Sequence, residues 1–239
     1  KLQAIARRHL SATEFKRIVS KMKVLLTPVA ASRIPIYKRP IDRAVFFQAG
    51  TIVPARHMEQ IADSVGKALA SGADTSLLIC SQHSHAPDWV AKPFINTRLE
   101  VSREDLHRYL GEGDFSPIVV DYTSTAIAYH EGTLSGQVPI WWKRRWNDGL
   151  YPPDYRLAAK SMSELETMIV FCAKNPKKAK ALGQSGIDWI RKLLDGQRSG
   201  QAWFDVIKQA DAIRDMETHR RCGRHFLYLL LEDAITSLP

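Results

Sequence analysis

A glycine and an arginine stand six positions apart in one segment of the sequence. Gly50 follows the apolar run 44–47, and Arg56 stands at the start of the next helical pattern. A glycine lets backbone amides come close to a phosphate, and a helix N-terminus with a neighbouring cation attracts one. The spacing is neither a GxGxxG fingerprint nor a Walker loop. The segment is therefore either a phosphate-binding loop or a plain turn with a solvated arginine.

One carboxylate marks a second segment that could do chemistry. Tyr-Thr-Ser-Thr at 122–125 leads into a short helical pattern with Glu131, and a small-residue turn then precedes Val-Pro-Ile at 138–140. This order predicts that Glu131 lies near the carboxyl edge of a parallel sheet, where ligands of open α/β sheets bind. A carboxylate there can accept hydrogen bonds from two ribose hydroxyls. The alternative interpretation is an exposed glutamate at a helix end.

Aromatic residues and cations are interleaved in a third segment, residues 141–146, which read Trp-Trp-Lys-Arg-Arg-Trp. Such a pattern can stack on bases and contact phosphates, as nucleic-acid grooves do. The candidate contacts with an acceptor or a nucleic acid are Trp142, Lys143, Arg144, Arg145 and Trp146. The alternative is a strand end with core tryptophans followed by a solvated basic loop.

The elements that must position these segments alternate along the chain. Apolar runs at 44–47, 77–80, 118–120 and 138–142 predict strands buried on both faces, and helical patterns separate them. Helices with a capping-box pattern begin at Ser102 and Ser161. The expected fold class is a doubly wound parallel α/β sheet, Rossmann-like, followed by C-terminal helices. The expected boundaries are 1–40 for the end of an N-terminal domain or a linker, 41–195 for the α/β domain and 196–239 for the C-terminal helices.

The order of these pieces, over about residues 23–194, resembles the C-terminal, nucleotide-sugar-binding half of GT-B glycosyltransferases. Retaining members typically carry a Gly-Arg…Lys loop after the first strand and an E-x7-E element before a Val-Pro strand. Gly50 matches the glycine and Arg56 the lysine, while Thr51 stands at the arginine position. Glu131 matches the second glutamate, and Thr123 stands where the first is usual.

The resemblance implies transfer of a sugar from a nucleotide sugar, most simply a UDP-sugar, to an acceptor hydroxyl, and it implies no metal. Arg56 is then the catalytic cation on the donor diphosphate, Glu131 contacts the ribose, and Gly50 allows close approach. Neutral donors toward phosphate or sugar oxygens are Thr51, Thr123, Ser124 and Thr125. The acceptor-orienting group would come from an N-terminal half that these 239 residues largely lack.

Charge and composition bear on the acceptor and the compartment. The chain has 34 Lys and Arg against 25 Asp and Glu, a net charge of +9, and 45% hydrophobic residues, which excludes a disordered tail. This basic protein suits an anionic acceptor, either DNA or a surface of anionic lipids. The longest apolar run, 226–231, is too short to span a bilayer. Three widely spaced cysteines predict a reducing, cytoplasmic setting.

Two other functions stay open at this point. A non-catalytic nucleic-acid-binding module on a Rossmann-like scaffold would use the basic aromatic segment as its main site, whereas a glycosyltransferase acting on DNA would combine both features. Another enzyme of this architecture, such as a sugar-nucleotide epimerase, would need no acceptor. We interpret His83 and His85 as part of a polar loop, because no carboxylate or cysteine stands at a recognisable metal-ligand spacing from them.

Overall fold

The computed structural model describes residues 34–37, 43–119, 127–144, 149–194, 201 and 204–205. By its internal contacts the chain divides into two compact units, Pro28–Arg198 and a second one made of Lys1–Thr27 with Ser199–Pro239. In the second unit, the side-chain amide of Gln201 donates to the carboxylate of Asp205 at 2.8 Å. All the strands and helices given below belong to the first unit. The domain boundaries expected from the sequence stay a prediction.

Six parallel strands form one sheet. In chain order they are β1 (Ala44–Ala49), β2 (Thr75–Cys80), β3 (Ile95–Arg98), β4 (Phe115–Ile118), β5 (Val138–Trp142) and β6 (Ala158–Ala159). Their order across the sheet is β3-β2-β1-β4-β5-β6, and every neighbouring pair is parallel. The chain therefore builds outward from β1 in one direction and then from β4 in the other, which puts the topological switch point between β1 and β4. The expected doubly wound parallel α/β fold is confirmed.

Five α-helices of the described part of the chain accompany the sheet. They are α1 (Met58–Ala70), α2 (Arg103–Tyr109), α3 (Ile127–Ser135), α4 (Met162–Lys174) and α5 (Pro176–Leu193). Both predicted capping boxes begin helices, since the hydroxyl of Ser102 accepts from the Asp105 amide at 3.1 Å and that of Ser161 from the Glu164 amide at 3.2 Å. A capping side chain satisfies a backbone donor that the first helical turn leaves without a partner.

The central strands are buried on both faces, and α5 fixes the position of β5. All six residues of β1 and all five of β5 are buried. Helix α5 approaches β5 through Gly183, where an added Cβ would collide with a methyl group of Val138. Close approach of a helix backbone to a strand needs such a glycine, because any side chain would hold the two apart. The amino end of β5 is thereby held against α5.

Candidate functional site

The candidate site lies at the carboxyl edge of the sheet. Because all strands are parallel, the segments that follow β1, β4 and β5 emerge at the same edge, and open α/β sheets bind ligands there at the switch point. The structure describes residues 50–57 after β1 and 143–144 after β5. Predicted site residues that lie outside the described ranges are Thr123, Ser124, Thr125, Arg145 and Trp146.

Arg56 folds back onto the glycine that follows β1. Its Nη1 donates to the carbonyl oxygen of Ala49 at 2.7 Å. Gly50 has φ +108°, and an added Cβ there would collide with the Arg56 guanidinium. The position thus requires glycine twice, once for its backbone conformation and once for the space that the arginine fills. The half-buried guanidinium is held at the last residue of β1.

A buried tyrosine and glutamine hold the Arg56 guanidinium beside the switch point. The Arg56 Cζ lies 5.9 Å from the centroid of the Tyr129 ring, a cation–π distance. The Tyr129 hydroxyl donates to Oε1 of Gln48 at 3.1 Å, and Nε2 of Gln48 donates to the Pro117 carbonyl of β4. Burial raises the pKa of Tyr129 above its usual value, and Arg56 opposes this in part. The tyrosine is therefore a neutral donor that ties α3 to β1 and β4.

Glu131 is a buried carboxylate with one oxygen paired and the other without a partner. It is 2% exposed. Its Oε1 accepts from Nη2 of Arg103 and lies 3.4 Å from Nε2 of His107. Its Oε2 is buried without a hydrogen-bond partner among the described residues. The alternative of an exposed glutamate at a helix end is therefore wrong.

Arg103 and His107 belong to the site, and sequence reasoning missed both of them. They lie four residues apart on α2, which places them on the same helix face. That spacing was a signal in the sequence, but only the fold brings α2 to Glu131. The Arg103 side chain is 55% exposed, so the pair presents a guanidinium to solvent over a buried carboxylate.

The basic aromatic segment buries its first aromatic rings. Trp142 is 4% exposed. Its ring centroid lies 6.1 Å from that of His57, with the planes inclined by 26°, and the Cζ of Arg144 lies 3.9 Å from it. Trp142 therefore packs against protein groups and offers no open face for stacking on a base, whereas Lys143 and Arg144 are half-buried.

Thr51 and His83 connect the segments that follow β1 and β2. Nε2 of His83 lies 3.2 Å from Oγ1 of Thr51, and both residues are exposed. Thr51, the predicted neutral donor, is thus accessible beside the Gly50 turn. Within the described part of the chain, no three His, Cys, Asp or Glu side chains are grouped so that they could hold a metal ion.

Three buried titratable groups lie outside this arrangement. Burial lowers the pKa of His130 to about 4, so its ring is neutral near pH 7. Burial raises the pKa of Cys80 and of Cys172 to about 12. Both cysteines are therefore thiols rather than thiolates, and neither is suited to act as a nucleophile.

A cavity of about 540 Å³ opens at the opposite, amino edge of the sheet. Its lining includes Arg43, Asp74 and Asn96, which precede β1, precede β2 and belong to β3. None of the predicted site residues lines it. We place the candidate site at the switch point and not in this cavity, because ligands of open α/β sheets bind outside the carboxyl ends of the strands.

Several solved structures with a similar fold are glycosyltransferases, although the sequence matches no protein-family model and no curated protein. Sucrose-phosphate synthase from Thermosynechococcus elongatus superposes with a TM-score of 0.65 and 13% identity, over 84% of this chain and 56% of that one. Anabaena HepE in complex with UDP and glucose superposes with a TM-score of 0.61 and 12% identity, over 82% of this chain and 60% of that one. This chain has a GT-B glycosyltransferase fold.

A third similar structure is a single domain. It is the C-terminal domain of LpcC, a glycosyl transferase group 1 family protein from Francisella tularensis, with a TM-score of 0.56 and 10% identity over 69% of this chain and 97% of that one. This chain therefore spans little more than half of the two longer structures, 56% and 60%, but nearly all of this domain. None of the described helices is long and apolar enough to cross a membrane.

Proposed function

We propose that this chain is the donor-binding, C-terminal half of a retaining glycosyltransferase and that it transfers a sugar from a UDP-sugar to an acceptor hydroxyl. The observation that carries the proposal is the Arg56 guanidinium held on the Ala49 carbonyl at the end of β1. A fixed cation at the switch point of an open α/β sheet stands where a ligand diphosphate binds. Because Gly50 has no side chain, a phosphate can approach its backbone closely.

The contacts around Arg56 suit a diphosphate rather than a neutral ligand. Its guanidinium has five N–H donors, one of which donates to the Ala49 carbonyl. The face of the Tyr129 ring orients the guanidinium. A guanidinium fixed in this way loses little side-chain conformational entropy when it binds phosphate oxygens. The exposed hydroxyl of Thr51 adds a neutral donor beside it. HepE has been crystallised with UDP and with UDP-glucose, which supports a uridine nucleotide as the first donor to test.

Glu131 is the proposed ribose ligand. The carboxylate belongs to α3, which follows β4, and its Oε2 is a buried acceptor without a partner. An unpaired buried acceptor costs about 1–3 kcal/mol, and a ligand hydroxyl that donates to it would recover that cost. Since Arg103 already occupies Oε1, the proposed contact is one ribose hydroxyl on Oε2.

The proposed reaction substitutes the acceptor oxygen for the diphosphate at the anomeric carbon. The bond between this carbon and the diphosphate oxygen breaks, and its electron pair leaves on the diphosphate, while the acceptor oxygen forms the new bond and gives its proton to an oxygen of the leaving diphosphate. Negative charge grows on the diphosphate, so a fixed cation stabilises the transition state more than the ground state. Removal of one such preorganised contact costs about 2.7–4 kcal/mol of barrier. Arg56 is the residue proposed for this role.

The acceptor half of the enzyme is proposed to lie outside the donor-binding unit. The match to nearly the whole LpcC C-terminal domain supports this division. DNA is the proposed anionic acceptor, because the net charge of +9 favours a polyanion. A non-catalytic nucleic-acid module is less well supported, because Trp142, one of its two expected stacking residues, is buried; the other, Trp146, lies outside the described residues. Salt-sensitive DNA binding that UDP leaves unchanged would favour that alternative.

Calorimetric titration with UDP, GDP and ADP tests the proposal. Arg56→Ala should lower the affinity for the preferred nucleotide by more than tenfold, which is about 1.4 kcal/mol of binding free energy. The matched control is Arg43→Ala, which removes an arginine from the other end of β1, where Arg43 contacts Ser76. Equal affinity in Arg56→Ala and Arg43→Ala, with both variants folded, would contradict the proposal.

A further inference from the structure

A second arginine lies at the carboxyl edge of the sheet. Arg144 comes two residues after the end of β5, and its guanidinium lies over the Trp142 ring at 3.9 Å from the centroid. The planar guanidinium is weakly hydrated and stacks well on aromatic faces. Two longer hydrogen bonds run from its Nη1 to the carbonyls of Lys143 and Lys160, at 3.3 and 3.4 Å. The face of the indole and these two carbonyls thus contact the Arg144 guanidinium.

His57 connects this arginine to the segment after β1. It directly follows Arg56 and adopts a left-handed conformation with φ +52°, and its ring lies 6.1 Å from that of Trp142. In the sheet, β4 lies between β1 and β5. A contact between a residue that follows β1 and one that ends β5 therefore passes over the carboxyl end of β4. The segments that carry Arg56 and Arg144 thus meet beside the switch point.

The described residues directly after β1 and β5 carry positive charge and no carboxylate. Residues 50–57 include Arg56, and residues 143–144 are Lys143 and Arg144. A nucleoside diphosphate carries negative charge on two phosphates, and one guanidinium compensates only part of it. Charge-assisted hydrogen bonds from a second guanidinium would complete the recognition, because its N–H donors match phosphate oxygens in pairs.

We propose that Arg144 is a second diphosphate-binding cation and that the indole of Trp142 positions it across from Arg56. The inference rests on the proposed function, since it requires the donor diphosphate at the carboxyl edge. The two arginines come from opposite sides of β4 and so approach the diphosphate from two directions. When the leaving diphosphate gains charge, both cations stabilise it.

The test compares UDP with uridine, which lacks both phosphates. Calorimetric titration of the full chain should show that Arg144→Ala and Arg144→Gln weaken UDP at least tenfold and leave the uridine affinity, measured by competition, unchanged. The matched control is Arg156→Ala, because Arg156 is an exposed arginine of the same β5–β6 connection that lies just before β6, at the amino edge. A UDP affinity within twofold of wild type in both Arg144 variants, or an equal loss of uridine affinity, would overturn the proposal.

A double-mutant cycle with Trp142→Leu tests the positioning role. The Trp142 substitution should weaken UDP when Arg144 is present and have no further effect in the Arg144→Ala background. Equal losses in both backgrounds would overturn it, and Trp142→Phe replaces Trp142→Leu if the latter does not fold. If wild type binds no UDP, the proposed function fails together with this proposal. If Arg56→Ala loses UDP and Arg144→Ala keeps it, only this proposal fails.

Discussion

Arg103 and Glu131 form an ion pair in which the cation is exposed to solvent and the carboxylate is buried. The Arg103 side chain is 55% exposed and that of Glu131 is 2% exposed. The guanidinium donates to Oε1, which leaves Oε2 as a buried acceptor. A charged group is tolerated in the interior only when it is paired. Arg103 therefore compensates the buried charge at the proposed ribose end of the donor site.

Removal of Arg103 should destabilise the protein through Glu131. Breaking a buried pair costs about 3–5 kcal/mol, but Arg103 is half exposed and His107 stays near the carboxylate, so we expect about 1–2 kcal/mol for Arg103→Ala. Urea denaturation measures this loss. Arg108→Ala is the control, because Arg108 belongs to the same helix and pairs with the exposed Asp105. The decrease in the free energy of unfolding caused by Arg103→Ala should be smaller in a Glu131→Gln background. An unchanged decrease would contradict the pairing.

His130 should make the fold sensitive to mild acid. Its pKa is lowered by burial from 6.5 in the unfolded chain to about 4 in the folded one. The unfolded state therefore binds a proton first as the pH falls, so stability is unaffected above about pH 6.5 and declines down to about pH 4. The total loss is about 3 kcal/mol. Urea denaturation at pH 7, 5.5 and 4.5 should show a smaller decline in His130→Leu. The exposed His85, changed to leucine, serves as control, and an equal decline in both variants would refute the assignment.

Gly50→Ala should damage nucleotide binding more than its backbone strain explains. The Cβ of an alanine at position 50 would collide with the Arg56 guanidinium. The alanine would also have to adopt φ +108°, a backbone strain that costs about 1–3 kcal/mol. Gly72 has φ +87° and open space around it, so Gly72→Ala reproduces the strain without the collision. Both variants should lose stability in urea, while only Gly50→Ala should lose UDP affinity by calorimetry. Equal UDP affinities would show that Arg56 does not depend on Gly50.

Gly183→Ala should loosen α5 from β5. The added methyl would collide with Val138, and overpacking of this kind costs about 1–3 kcal/mol, against a gain of at most about 1 kcal/mol in helix propensity. We therefore expect a lower midpoint of thermal unfolding by circular dichroism. Ser185→Ala, at an exposed position of the same helix, should leave the midpoint unchanged or raise it slightly. A midpoint raised equally by both substitutions would contradict the tight approach.

The central strands could be predicted from the sequence, whereas the edge strands could not. The interior strands β1, β2 and β5 contain the predicted apolar runs, because helices cover both faces of the sheet. The predicted run at 118–120 is displaced, since β4 covers Phe115–Ile118, where Ser116 and Pro117 interrupt the apolar pattern. At the edge, β3 alternates between half-buried and exposed residues, and β6 is only two residues long. An edge strand has one neighbour, and its pattern resembles that of a loop. The capping serines were predictable because capping is a local interaction.

The site could be predicted only where its residues act through local sequence. Gly50 and Arg56 are six residues apart, and the loop between them carried the signal. Arg103 lies 28 residues from Glu131, so its role depends on packing between α2 and α3 that no local pattern encodes. The composition of the segment around Trp142 is typical of a stacking surface, yet Trp142 ends a strand that is buried on both faces. Tertiary context decided both of these outcomes.

A crystal structure of this chain grown with UDP tests the central claim most directly. We expect the diphosphate to lie between β1 and β4 at the carboxyl edge, with the Arg56 guanidinium and the Gly50 backbone within hydrogen-bond distance of phosphate oxygens and a ribose hydroxyl on Oε2 of Glu131. UDP bound in the cavity at the amino edge beside Arg43, or UDP bound at the carboxyl edge with no contact to Arg56, would contradict it.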